Sequence, residues 1–179
     1  MSFFVRILSV VMASGFGWVA LAADDATLAK EVLQTAGVSG GLCIHLGCGR
    51  TESPGLTAAL AENSAMAVHG LALDDAALAR ARKEIEARGM AGRATVEKVE
   101  LKPLPYLPDL ATLAVVEDLG ALQGVTKEDI LRVVAPYGVL CVKEGGKWTK
   151  TVKPRPKEMD AGATSSTART TTWCPTTRR

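Results

Sequence analysis

Short apolar runs that end at glycine or at polar residues recur along the middle of the chain. The run from Gly41 to Leu46 ends at Gly47 and Gly49, as a buried parallel strand commonly does. Similar runs predict four further strands, at 65–73, 94–101, 111–117 and 139–142. Because these runs are continuous rather than alternating, we expect strands that are buried on both faces of a sheet.

Between these runs, apolar residues recur at the three- and four-residue spacing of a helix. The clearest helix is predicted from Asp74 to Arg88, where Leu78, Ala81 and Ile85 share one face and Gly89 ends the helix. Three other helices are predicted, at 24–37, 56–61 and 127–134. The chain therefore alternates between strands and helices.

This alternation predicts an α/β fold with a parallel sheet that has helices on both faces. Right-handed crossovers then give a Rossmann-like, doubly wound, mostly parallel sheet with strand order 3-2-1-4-5. Nothing after Lys150 has the pattern of a further hairpin. We therefore expect one domain over residues 23–150, with a sheet that is incomplete on its C-terminal side.

The first 22 residues differ from this pattern. Arg6 is followed by an uncharged run from Ile7 to Ala22, which ends in Ala20-Leu21-Ala22. This is the pattern of a secretory signal peptide that is cleaved after Ala22. The alternative is a membrane anchor, but the run contains glycines and serines and is at the lower length limit for a span. We predict a periplasmic or secreted protein with no stable membrane span after cleavage.

The charge distribution changes the picture of possible partners. The formal net charge is +2, yet the stretch 24–160 holds all 19 acidic residues and only 17 of the 21 basic ones, which leaves it at −2. Nucleic-acid-binding domains usually carry a dense basic face. The charge of this stretch therefore argues against a nucleic-acid partner.

The C-terminal part also differs from the body of the chain. A basic run with prolines and glycines precedes residue 160, and we interpret residues 151–160 as a linker. Residues 161–179 hold seven threonines and no acidic residue, so they cannot build a core and are predicted to be a disordered tail. Threonine codons begin with A and C. In the shifted frame that makes these two bases the second and third of a codon, that codon encodes only Tyr, His, Asn or Asp. We interpret this tail as the product of a frameshift near Asp160.

The turn after the first strand carries the clearest chemistry. Leu46 runs into Gly47-Cys48-Gly49, where a tight turn lets backbone N–H groups approach a ligand that a Cβ would obstruct. The dinucleotide pattern Gly-x-Gly-x-x-Gly is not met, because its third position is Glu52. A dinucleotide site of that kind is therefore not predicted.

The segment Ile44-His45-Leu46-Gly47-Cys48-Gly49 with Leu56-Thr57-Ala58-Ala59-Leu60 resembles motif I of class I S-adenosylmethionine-dependent methyltransferases. The resemblance continues in Val68-His69-Gly70-Leu71 and in the segment 130–140, and it spans about residues 32 to 145. In that family the glycine turn holds the methionine part of the cofactor. The resemblance thus implies S-adenosylmethionine as cofactor, bound by Leu46, Gly47, Cys48 and Gly49.

The sequence also departs from the family pattern. The acidic residue that usually precedes the glycine turn is His45, and the loop 50–55 is about three residues longer than is usual. The carboxylate that binds the cofactor ribose is expected where Ala72 stands. Asp74 and Asp75, two and three residues later, are the candidates to replace it, with Asp74 assigned to the site. Losing a charge-assisted contact of this kind weakens binding about tenfold to a hundredfold or more.

A second resemblance comes from the shifted frame. Reread with permitted codons, the tail contains Asn-Asn followed by Ser-His-Asp, similar to the segment that joins a methyltransferase-like domain to a quinoprotein-type (PQQ) β-propeller in large secreted bacterial proteins. The resemblance implies a truncated chain whose full-length form carries a propeller domain as partner.

Several other residues have two interpretations each. His45 and His69 lie on adjacent strands, as a base or metal pair or as two packed histidines, and we favour packing and predict no metal site. Tyr106 either stacks on a ligand or packs in a proline-rich loop, and packing is favoured. Glu117 and Asp118 follow the fourth strand, where methyltransferases often keep substrate-facing residues, and we interpret them as solvated acids.

The cysteines of the body show no zinc-binding spacing, and a disulfide between Cys43 and Cys141 would have to cross the fourth strand.

Two functions remain after these steps. One is an S-adenosylmethionine-dependent methyltransferase-like domain, which needs positioning more than acid–base groups and for which no catalytic residue is assigned. The alternative is a non-catalytic scaffold or docking module, since an exported enzyme would lack its cytoplasmic cofactor.

Overall fold

The computed structural model describes residues 17–155, which form one α/β domain around a six-stranded sheet. The helices are α1 (Gly17–Ala36), α2 (Leu56–Glu62), α3 (Asp75–Ala87) and α4 (Lys127–Val133). The strands are β1 (Gly40–Leu46), β2 (Ala65–Ala72), β3 (Ala94–Lys98), β4 (Ala111–Val116), β5 (Val134–Glu144) and β6 (Lys147–Val152). The α/β class and the alternation of strands and helices are confirmed.

The sheet has the order β3-β2-β1-β4-β5-β6, and its first five strands are parallel. This is the predicted doubly wound order with one antiparallel strand added. Strand β1 lies between β2 and β4, so the strand order reverses beside it. An open α/β sheet binds its ligands at such a point, outside the carboxyl ends of the strands.

One antiparallel strand follows the fifth strand, and the sheet remains incomplete on its C-terminal side, as predicted. Gly145 and Gly146 turn the chain with φ of 56° and 82°, and β6 then pairs antiparallel with β5 from Val139 to Glu144. Strand β6 extends two residues into the predicted linker. Its alternating lysines and threonines are exposed, and only Trp148 packs against the core.

The two faces of the sheet are covered by different elements. Helices α1, α2 and α3 share one apolar cluster with β1 and β2, which includes Val32, Leu60 and Ala81. Helix α4 and the connections on either side of β4 cover the other face, where Ile44 and Leu140 are buried. A residue and its neighbour on one strand therefore point into different cores.

Helix α3 begins and ends at the residues that the sequence indicates. Asp74 is its N-cap and accepts a hydrogen bond from Ala77 N at 2.7 Å. Gly89, with φ of 65°, follows its C-cap Arg88. This cap places Asp74 directly at the carboxyl edge of the sheet, one residue after Leu73.

Helix α1 begins at Gly17, seven residues before its predicted start, and therefore crosses the predicted cleavage point after Ala22. Val32 on its apolar stripe is fully buried. No helix in the range 17–155 is long and apolar enough to cross a membrane. The rest of the predicted signal peptide and the predicted tail 161–179 lie outside the described residues.

Candidate functional site

The glycine turn leaves β1 at the carboxyl edge, beside the end of β2. Gly47 and Gly49 have φ of 73° and 74°, a conformation that only glycine adopts without strain. The backbone N–H groups of Gly47 and Cys48 both donate to the carbonyl oxygen of Leu71, at 2.9 and 3.1 Å. These two donors are therefore directed at β2 rather than at the space above the sheet.

The chain itself explains why a side chain is excluded at Gly49. A Cβ there would lie 2.1 Å from the carbonyl oxygen of Ala77 in the first turn of α3. The carbonyl oxygen of Gly49 accepts a hydrogen bond from Arg80 Nε at 2.9 Å. Gly49 thus lets α3 approach the turn, which is a packing role.

Above Gly47 the space is also occupied by the chain. A Cβ at Gly47 would lie 3.2 Å from Leu122 Cδ2, and Leu122 is buried. Leu46 and Cys48 are each only 1% exposed, and burial raises the pKa of the Cys48 thiol to about 12. Of the residues predicted to bind the cofactor, Leu46 and Cys48 therefore belong mainly to the cores.

The end of β2 presents no carboxylate to the edge. Ala72 is fully buried, and the next carboxylate along the chain is that of Asp74. Asp74 is exposed, and its Oδ1 is engaged in capping α3. Beside it, Asp75 accepts a hydrogen bond from Lys98 Nζ at 2.6 Å. A ribose contact would thus fall to the second oxygen of Asp74.

Two clefts open at this edge, and Leu73 lines both. The smaller, about 230 Å³, is lined by Gly47, Cys48, Arg50, Thr51, Glu52, Leu73, Asp74, Ala77 and Arg80. The larger, about 580 Å³, is lined by Leu73, Lys98, Val99, Glu100, Leu101, Lys102, Ala121 and Gln123. Four of the predicted site residues, Gly47, Cys48, Asp74 and the adjoining Gly49, are thus brought together around the smaller cleft.

Beneath the loop 50–55 lies a chain of buried polar groups. His45 Nδ1 lies 2.9 Å from Thr57 Oγ1, and His45 Nε2 lies 3.3 Å from Glu117 Oε1. Ser53 Oγ donates to Glu117 Oε2 at 2.5 Å. Burial alone would raise the pKa of Glu117, but its contacts with His45, Ser53 and Arg50 outweigh burial and lower it.

The interpretation of Glu117 as a solvated acid is therefore wrong. Its side chain is 6% exposed, and it supplies the carboxylate beside His45 that the sequence does not reveal. The contact joins the penultimate residue of β1 to the residue after β4, so no local spacing signals it. Before the glycine turn the chain has a histidine, which contacts the acidic residue that directly follows β4.

Asp118 is exposed and ties down the start of the same loop. Arg50 Nη1 lies 3.3 Å from Asp118 Oδ2, and Arg50 Nε lies 3.7 Å from Glu52. The loop's other end is held by Asp25, whose Oδ2 accepts from Gly55 N at 3.0 Å and lies 3.2 Å from Arg88. Burial raises the pKa of Asp25 to about 6, although Gly55 and Arg88 partly oppose this.

The two histidines do not form a pair. Because β1 and β2 align Ile44 with His69, the side chains of His45 and His69 point to opposite faces of the sheet. His69 Nδ1 lies 2.9 Å from the hydroxyl oxygen of Tyr106, so Tyr106 packs as predicted. Burial raises the pKa of Tyr106. Between residues 17 and 155, no group of three metal-ligating side chains is present.

The cysteines of the described range are free and buried thiols. Cys43, Cys48 and Cys141 are all unbonded and buried. Burial raises the pKa of all three, which makes them poor nucleophiles. They contribute to packing at this site rather than to its chemistry.

Several solved structures share this fold. No protein-family model and no curated protein matches this sequence. Among solved structures, a Methanococcus maripaludis protein described as an S-adenosyl-L-methionine-dependent methyltransferase aligns with a TM-score of 0.58 and 22% identity, over 69% of this chain and 57% of its own. The [4+2]-cyclase SpnF aligns with a TM-score of 0.55 and 23% identity, over 65% and 44%.

A methyltransferase of Thiobacillus denitrificans, in complex with S-adenosyl-L-homocysteine, aligns with a TM-score of 0.52 and 17% identity, over 68% of this chain and 48% of its own. The chain thus spans about half the length of these structures. Identities this low report on the fold and not on activity, and a cyclase is among the neighbours. The described domain therefore has the fold of S-adenosylmethionine-dependent methyltransferases.

Proposed function

We propose that this domain binds S-adenosylmethionine at the carboxyl edge of its sheet, as a methyltransferase-like domain whose methyl acceptor is unknown. The observation that carries the proposal is the pair of clefts that share Leu73, beside the point where the strand order reverses. Open α/β sheets bind nucleotide ligands at this edge. The complexed methyltransferase of the same fold supports this choice of ligand.

The larger cleft fits the adenosine part of such a ligand. Leu73, Val99 and Leu101 provide apolar walls, and Gln123 and Glu100 provide hydrogen-bonding groups at the rim. Its volume of about 580 Å³ lies in the usual range of small-molecule sites, roughly 300–1,000 Å³. The smaller cleft contributes Asp74 and Arg80 to the ligand's other end.

The glycine turn fits the methionine part less well, because its N–H groups and the space above it are used by the chain. When bound, S-adenosylmethionine supplies an electrophilic methyl group. Glu117 contacts β1 through His45, but because it is buried against that histidine it does not face an acceptor. We therefore assign binding to this edge and no catalytic residue.

A second candidate function is favoured by that same closed turn. A domain whose turn is filled by Leu122 and α3 can serve as a non-catalytic scaffold or docking module. In this proposal the chain is a truncated part of a secreted protein with a quinoprotein-type β-propeller, and the signal peptide directs it to the periplasm or outside the cell.

Calorimetric titration of the purified protein with S-adenosylmethionine separates the two functions. The binding proposal predicts a dissociation constant below about 1 mM, which corresponds to roughly 4 kcal/mol. Replacing Ala121 by tryptophan fills the larger cleft and should weaken binding at least tenfold. Ala87→Trp, at the exposed end of α3, is the matched control and should bind as the original chain does. Absence of binding at millimolar ligand would leave the scaffold proposal standing.

A further inference from the structure

One arginine of the smaller cleft is held in place but has no acidic partner. Arg80, half-buried on α3, donates from Nε to the carbonyl oxygen of Gly49 at 2.9 Å, and this bond fixes its guanidinium at the wall of the cleft. Residues 17–155 contain no ion pair that includes Arg80 and no hydrogen bond from its Nη1 or Nη2. These two nitrogens therefore keep their N–H groups for a ligand.

The other charged side chains of the smaller cleft limit which ligand fits. Arg50 is already engaged, because its Nη1 lies 3.3 Å from Asp118 Oδ2 and its Nε lies 3.7 Å from Glu52. The carboxylates of Glu52 and Asp74 also line the cleft, so the charges of the lining sum to zero. The two carboxylates repel a ligand group with several negative charges, such as a phosphate. A group that carries one charge of each sign suits this lining.

The smaller cleft is placed to receive one end of a ligand. Its volume of about 230 Å³ lies below the roughly 300–1,000 Å³ of sites that enclose a whole small molecule. Leu73 lines both clefts, so a ligand in the larger cleft reaches the smaller one past this side chain. The space over the glycine turn is less accessible, because Leu122 lies over Gly47.

We propose that the smaller cleft binds the α-amino-acid end of an S-adenosyl ligand, with Nη1 and Nη2 of Arg80 donating to its carboxylate. This inference rests on the proposed function. An arginine whose Nε is already bonded presents Nη1 and Nη2 as a fork that matches the two oxygens of a carboxylate. Arg80 thus selects ligands that carry this carboxylate and does not contribute to binding of the adenosine part.

Three ligands that differ at this end test the proposal by calorimetric titration of the purified protein. S-adenosylmethionine carries the carboxylate, decarboxylated S-adenosylmethionine lacks it, and 5′-methylthioadenosine lacks the whole amino-acid end. We expect the original chain to bind S-adenosylmethionine about tenfold more tightly than the decarboxylated form. In Arg80→Gln this preference should disappear, while the affinity for 5′-methylthioadenosine should stay within about twofold.

Arg82→Gln is the matched control on the same helix. Arg82 carries the same charge and also donates to a backbone carbonyl oxygen, that of Val96, at 3.4 Å, but it lies outside the lining of the smaller cleft. This variant should keep the tenfold preference for S-adenosylmethionine. Arg80→Lys keeps the charge without the fork and should retain only part of the preference.

The outcomes separate this assignment from the proposed function. If Arg80→Gln weakened the binding of S-adenosylmethionine and 5′-methylthioadenosine equally, Arg80 would have a structural role and the assignment would be wrong. A preference that persists in Arg80→Gln, or an original chain that binds the two S-adenosylmethionine forms equally, would also overturn it while the proposed function stands. If the original chain binds none of the three ligands, the proposed function itself fails, and the assignment of Arg80 fails with it.

Discussion

At the carboxyl edge of the sheet, the region on the β1 side of Leu73 is filled by the chain, whereas the region on the β3 side is an open cleft. They are called here the closed side and the open side. On the β1 side, the turn N–H groups donate to Leu71, Gly49 packs on Ala77 and Leu122 lies over Gly47. On the β3 side, a cleft of about 580 Å³ is bounded by apolar and polar side chains without such filling. A glycine in a turn signals a close approach, and on the closed side the approaching group is the chain itself.

Among the substitutions that compare the two sides, Gly49→Ala is expected to lower the free energy of unfolding most. Gly49→Ala places a Cβ 2.1 Å from the Ala77 carbonyl oxygen in a left-handed conformation, and should reduce the free energy of unfolding by about 4 kcal/mol. Gly47→Ala has a similar φ but meets the movable end of Leu122, and should cost about 1–2 kcal/mol. Urea unfolding measures both. A Gly49→Ala variant as stable as the original chain would show that Gly49 has no packing role.

The next effect concerns Asp25, which anchors the closed side through Gly55. Its folded pKa of about 6 exceeds the ordinary value of 3.8, so the folded state binds the proton more tightly. Ionisation therefore costs stability as pH rises from about 4 to 6, by up to about 3 kcal/mol, with no further loss above that window. The charged neighbours of Asp25 are Arg88, Glu84 and Glu117, and all three are retained in the Asp25→Asn variant that serves as the reference.

Asp25→Asn keeps an acceptor for Gly55 N and removes the ionisation. Urea unfolding of the two proteins from pH 4 to pH 7 measures how the ionisation of Asp25 changes the free energy of unfolding. The original chain should lose stability relative to the variant between pH 4 and 6. Parallel curves for the two proteins would mean that Asp25 titrates normally and that its burial does not strain the closed side.

The third comparison substitutes one acidic residue on each side, Glu117 and Glu100, and we expect a smaller change in the free energy of unfolding. Glu117→Gln removes the buried partner of His45 and Ser53 and should cost about 2 kcal/mol at pH 7. Because the pKa of Glu117 is lowered, this stabilisation is present above pH 4.5 and is lost as pH falls below it. Glu100→Gln, on the exposed rim of the larger cleft, should change stability by less than about 0.5 kcal/mol. If Glu117→Gln and Glu100→Gln lowered the free energy of unfolding equally, the contrast between the closed side and the open side would be contradicted.

The fold was largely predictable because its elements carry local signals. Strand and helix bounds agree within a few residues where apolar runs end at glycine or at an N-cap, as at Leu46 and Asp74. Strand β6 was missed because it is an edge strand of exposed lysines and threonines, a composition that protects edges and also resembles a linker. Trp148 is the one side chain of β6 that packs against the core, and a single apolar residue cannot produce the alternating pattern that predicts a strand.

The site was less predictable because its contacts join distant parts of the chain. The turn, Asp74 and the clefts follow from strand order, but the pairing of His45 with Glu117 depends on side chains from β1 and the end of β4. The role of Gly49 depends on how closely α3 approaches. Such contacts are fixed by tertiary packing and have no spacing that a sequence pattern reveals.

The most direct test of the account is to follow the backbone amides by NMR while S-adenosylmethionine is added to the ¹⁵N-labelled protein. We expect the largest shift changes at Val99, Leu101 and Gln123 on the open side, with smaller changes at Gly47 and Cys48, whose N–H groups are held by Leu71. Shift changes confined to the glycine turn, or no changes at millimolar ligand, would contradict the account.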